Sequence, residues 1–148
     1  MNVPGRVRRA ARVTTLATPH GRRVIEAAVQ LTTVSLELRL VPSARTDRLG
    51  SLRTGAESEQ VNVAQLREAQ RIGWAAFRAA RLLPWHPTCL RQAIAVKRML
   101  HRRGINGQLQ LGVSKLTVGE AHAWVTVQGQ PIIGHGELER FVVLAGFE

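Results

Sequence analysis

Tyrosine is missing from these 148 residues, and the aromatic complement is three Trp and three Phe. So few rings argue against the stacking platforms on which proteins hold single-stranded nucleic acid. Cysteine occurs once, at Cys89, which excludes an internal disulfide and a multi-cysteine zinc site. Aspartate also occurs once, at Asp47, and acids of both kinds number 10 against 21 Lys and Arg, a formal charge of +11. There is no signal-peptide pattern, internal repeat or low-complexity tract. With a lone cysteine, this points to a reducing cytoplasm, because a small secreted domain more often carries paired thiols.

What is present describes a folded chain. Hydrophobic residues make up 45% and charged residues 21%, a globular balance, and the length suits one domain. The basic excess can attract nucleic acid, anionic lipid or an acidic peptide or protein, and charge alone does not choose among them. Its simplest reading is a solvated basic surface. Residues 1–23 hold six arginines, Pro4 and Pro19 and no acid, which reads as a basic, flexible arm preceding a single domain over 24–148.

Within that domain, Val24 to Val41 is apolar, but Glu26, Gln30, Glu37 and Arg39 interrupt it, so it reads as a packed helix and not a membrane span. Pro42 to Gly55 reads as a connector. A helical period runs from about Gln60 to Leu83, with Val61, Ile72, Ala76, Ala79 and Leu83 on one side and Arg67, Arg71, Arg78 and Arg81 on the other. Pro84 ends it, and a further helix is expected to begin near Pro87 and to stop at a left-handed Gly104. On that helix Cys89, Ala93, Val96 and Leu100 share a stripe. The period then changes to alternation: Leu109, Leu111 and Val113 in one strand, Ala123, Val125 and Val127 in a second, and a turn at Gln128-Gly129 into a third at Gln130-Pro131-Ile132-Ile133. Helices followed by a small antiparallel sheet make an α+β domain.

The chemistry centres on Cys89 and His122. A thiol at a helix start meets unpaired backbone N–H groups and a partial positive charge, which favour the thiolate, and a histidine elsewhere can take and return its proton. A buried filler thiol and a structural strand histidine are the bland readings of the same residues. A cysteine-bearing helix packed on an antiparallel sheet that presents a histidine is the layout of papain-like and transglutaminase-like enzymes.

Pro84-Trp85-x-x-x-Cys89-Leu90, the helix to Arg102-Arg103-Gly104-Ile105, Leu111-Gly112-Val113, Ala121-His122-Ala123-Trp124-Val125 and Val127-x-Gly129 resemble, in order and spacing, the lasso-peptide leader peptidases. These are the transglutaminase-like B proteins related to the processing protease of microcin J25. The resemblance runs from about Pro84 to Gly134. It implies a cytoplasmic cysteine protease that removes the leader from a ribosomally made precursor peptide. It also implies the split form of the family, in which a separate small leader-recognition protein delivers the precursor and an ATP-dependent macrocyclase closes the freed core. Nucleophile Cys89 and general base and acid His122 carry over residue by residue. The family's aspartate, about a dozen residues past the histidine, does not: that stretch reads Ile133-Gly134-His135-Gly136-Glu137. Glu137 is the first choice to orient His122, with Glu120, His135, a backbone carbonyl or a bare dyad as alternatives.

Rival readings remain open. Amide transfer or deamidation shares the acyl-enzyme step, and a non-catalytic adaptor could bind peptide or nucleic acid through its basic surface. A zinc site from His86, Cys89, His122 and His135 lacks the tight ligand pairing such sites use, so no metal or cofactor is expected.

Overall fold

The computed structural model describes residues 18–40, 61–134, 136 and 138–147. Most of the expected basic arm, the connector at 42–55, His135 and Glu137 therefore lie outside the described residues. Among the described residues three helices come first: α1 (Pro19–Leu40), α2 (Val63–Leu82) and α3 (Cys89–His101). Four strands follow: β1 (Gln108–Ser114), β2 (Ala121–Val127), β3 (Gln130–Ile133) and, after a single 3-10 turn at Leu138–Arg140, β4 (Phe141–Phe147). The strands form one antiparallel sheet in the order β3-β2-β1-β4. The chain is therefore an α+β domain, helices first and sheet second.

Each boundary has a local cause. Helix α1 begins at Pro19, earlier than its apolar run alone suggests, because proline suits a first helical turn and Thr18 Oγ1 accepts from Gly21 N–H. Asn62 and Gln65 close the start of α2 with a reciprocal capping box. Pro87 falls outside α3: it precedes the cap residue Thr88, and Gln92 Nε2 donates to its carbonyl at 2.7 Å. Gly104 takes φ +66 beyond the helix end, and Gln128 and Gly129 both have positive φ, the backbone of a tight β2–β3 hairpin.

One core joins the two layers. Ala27, Leu31 and Val34 of α1, Ala69, Ile72 and Ala76 of α2, and Ala93, Val96, Met99 and Leu100 of α3 are all sealed from water. The sheet adds Leu109, Ala123, Val125, Val127, Ile132 and Ile133 to the same cluster. Alternation along β1 and β2 explains the choice, since Leu109 pairs with Val125 and Leu111 with Ala123, all on the helix-facing side. Burying a Leu, Ile or Val side chain contributes about 1.5–3 kcal/mol, so this cluster supplies the main drive to fold. The abundant alanines let helices approach closely. At Gly73 a Cβ would lie 2.1 Å from the Ile132 carbonyl oxygen, so α2 touches β3 backbone to backbone.

Ion pairs tie the helices at the far end of α3. Arg103 grips Glu26 of α1 through two hydrogen bonds of 2.7 and 3.0 Å and lies 3.5 Å from Glu68 of α2. Arg23 of α1 holds the other side of Glu68 at 2.8 and 2.9 Å, and Arg98 pairs with Glu37. The Arg103 guanidinium holds the Glu26 carboxyl below its usual range despite partial burial, and Glu26 in turn raises Arg103. Arg98 does the same for Glu37.

Candidate active site

Cys89 is the first residue of α3, half-buried and packed against the core. The cap residue Thr88 makes no side-chain hydrogen bond, in contrast to the closed capping box of α2. The first-turn N–H groups beside the sulfur are thus left without a side-chain cap, as donors to an oxyanion would have to be.

His122 is the second residue of β2, and its Nε2 lies 2.8 Å from the carbonyl oxygen of Gly134. A carbonyl only accepts, so Nε2 carries the proton and the neutral ring keeps Nδ1 as its basic nitrogen. The ring is also stacked, 5.1 Å from Phe141 and 6.0 Å from Trp124 between centroids. Trp124, at the alternate position on the same face, is buried and crowds Gly112 and Gly134. Of the groups expected to orient the imidazole, the described residues supply a backbone carbonyl. Glu120 is exposed and faces Arg140 at 3.9 Å. Gly134 takes φ +75, and a Cβ there would sit 2.7 Å from the Ala123 carbonyl oxygen, so a side chain at this position would disturb the acceptor.

Leu100, near the tail of α3, meets Gly107 and Val125. This contact seats α3 on the sheet that carries His122, yet the thiol and the imidazole stand in different layers. Their faces differ. Ala123 and Val125 point into the helix layer, whereas His122, Trp124 and Phe141 stack on the opposite side of the sheet. The imidazole therefore lies on the sheet face turned away from the helix layer that carries Cys89, and among the described residues no hydrogen bond joins the sulfur to the ring.

This order of a cysteine-headed helix, a histidine strand and an antiparallel sheet has a counterpart among known families. A family model described as the transglutaminase-like superfamily matches residues 28–146. The chain belongs to that superfamily. Nothing among curated proteins or solved structures matches it. Transglutaminase-like domains commonly work as cysteine proteases or acyl transferases, which is the chemical frame for Cys89 and His122. Among the described residues no group of His, Cys, Asp and Glu could hold a metal ion, and no helix is long and apolar enough to cross a membrane.

Sequence reasoning missed Phe141 and, while it offered a backbone carbonyl, did not single out Gly134. Phe141 belongs to β4, whose run Phe141-Val142-Val143-Leu144 is continuously apolar and gives no alternating signal. The Gly134 carbonyl has no side-chain signature at all, although its place twelve residues after His122 is where the leader peptidases carry their aspartate.

Proposed function

We propose that this transglutaminase-like domain is a cysteine peptidase that removes the leader from a ribosomally made lasso-peptide precursor. Cys89 is the nucleophile and His122 the general base and acid. The Cys89 sulfur adds to the scissile carbonyl as its proton passes to His122 Nδ1, and first-turn N–H groups of α3 receive the oxyanion. The imidazolium then protonates the departing amine. Water, deprotonated by the same ring, hydrolyses the thioester and restores the thiol. Gly134 orients the ring in this scheme, and Glu137 is the carboxylate the sequence offers for the same role. A small leader-recognition protein delivers the precursor, a macrocyclase takes the freed amine, and both work in the cytoplasm.

The observation that supports this reading is the lone thiol at the uncapped head of α3, with a histidine held by a backbone carbonyl on the sheet, inside a superfamily built for thiol chemistry. The decisive experiment incubates a lasso precursor and its recognition protein with the wild-type chain and with Cys89→Ala. Cleavage after the leader that vanishes in the variant, with unchanged circular dichroism, supports the proposal; undiminished cleavage by the variant refutes it. Amide transfer is the second reading, since the superfamily also includes acyl transferases. Mass spectrometry separates a cleaved chain from a cross-linked or deamidated one.

A further inference from the structure

The surface of α2 that faces away from the core carries a pattern that peptide cleavage does not use. Arg67, Arg71, Trp74, Phe77, Arg78 and Arg81 recur at helical spacing along it. Trp74 and Phe77 are large apolar side chains left 50% and 51% exposed. The acid of this helix, Glu68, turns instead toward Arg23 and Arg103. Arg67, Arg78 and Arg81 have no carboxylate partner among the described residues, and Arg71 has only the edge of Glu68 at 3.8 Å. Beside Trp74 a groove of about 660 Å³ opens between this helix and the start of α1, lined by Thr18, His20, Arg67, Gln70, Arg71 and Trp74. His20 meets the Trp74 ring edge-on at 6.0 Å, which props the indole in place as one wall.

We infer that this face is a docking surface for an acidic peptide segment of a partner protein, with one apolar side chain of that segment seated against Trp74. Unpaired guanidinium groups around a half-exposed indole form the composition in which binding energy concentrates at protein interfaces. Each arginine offers a planar, two-pronged donor that matches a carboxylate, and the +11 charge of the chain steers acidic partners toward it. The groove lies within the size range that holds a few side chains. Nucleic acid fits less well, because the Arg81 guanidinium, 5.6 Å from the Phe77 centroid, already stands over one face of that ring. The inference does not rest on the catalytic reading: loss of the thiol leaves this face intact.

The test measures fluorescence anisotropy of a short, capped, labelled peptide of repeating Glu-Glu-Leu titrated with the full chain, and of a labelled single-stranded oligonucleotide as the competing class. The expected result is saturable peptide binding that weakens about tenfold or more in Trp74→Ala and, separately, in Arg67→Glu. Cys89→Ala should bind as the wild type does. Both replaced side chains are exposed, so the fold should persist, and circular dichroism of each variant checks it. Unchanged affinity in both folded variants, absent peptide binding, or oligonucleotide binding that is tighter and lost in the same variants would each overturn the inference.

Discussion

Gly73→Ala should destabilise the protein, although the same exchange inside most helices does the opposite. Alanine exceeds glycine in helix propensity by about 0.8–1.0 kcal/mol, so propensity alone calls for a more stable chain. The added Cβ, however, would lie 2.1 Å from the Ile132 carbonyl oxygen, 2.9 Å from its Cγ2 and 3.0 Å from its carbonyl carbon. Carbon atoms in good contact stand about 3.5–4.0 Å apart, so α2 has to retreat from β3 by roughly an ångström. The obstacle is backbone within a hydrogen-bonded strand, which cannot swing aside as a side chain would. Overpacking of this kind costs about 1–3 kcal/mol and occasionally more, and a backbone obstacle places it at the upper end. Subtracting the propensity gain leaves a net loss of about 1–2 kcal/mol. Urea unfolding followed by far-ultraviolet circular dichroism should show a midpoint lowered by about 0.5–1 M with the slope unchanged. A midpoint equal to or above that of the wild type would show that the α2–β3 contact is looser than described, and the argument for a rigid two-layer core would fail.

Other outcomes follow from the same structure. Because Arg103 and Arg98 depress the Glu26 and Glu37 carboxyls, these pairs contribute stability that is full above the ordinary carboxylate value of 4.5 and drains away as pH falls through the lower folded values. Arg103→Gln should flatten that acid limb in thermal melts, and an acid limb identical to the wild type would show the Glu26 pair to be idle. Gly134→Ala forces a side chain into φ +75 and against Ala123, a strain of about 1–3 kcal/mol. It should lower kcat for precursor cleavage more than the fraction unfolded explains, whereas loss in proportion to unfolding would deny the carbonyl its orienting role. Phe141→Leu removes the ring stacked on His122 and should slow cleavage while leaving the melting temperature within a few degrees; full activity would show the stack to be incidental. Iodoacetamide should abolish activity in step with alkylation of Cys89, and activity surviving complete alkylation would exclude a thiol nucleophile.

Much of this architecture was legible in the residues because periodicity is a direct imprint of burial. The 3.6 period of α2 and α3 and the alternation of β1 and β2 each named the side chains that now fill the core, Ile72, Ala76, Val96, Leu100, Leu109 and Val125 among them. Where apolar side chains stay exposed or backbone does the work, the imprint fades. Strand β4 pairs with β1 and makes the sheet four-stranded, yet its unbroken apolar run carries no face preference. The start of α3 was displaced in sequence reasoning because Pro87 suits a first turn, whereas the chain uses it one residue before the cap, as an acceptor for Gln92. Cys89 and His122 stood out as residue types. Strand parity alone puts Trp124 on the face of His122, whereas Phe141 joins them only through the pairing of β4 with β1.

The salt links of Arg103 with Glu26 and Glu68, and of Arg98 with Glu37, all fasten the trailing half of α3. Its leading end, where the sulfur sits, carries no such fastening among the described residues beyond the Gln92 bond to Pro87. The helix is thus a lever pinned at its heel: small tilts about that pin move the tip most, and Cys89 rides on that tip.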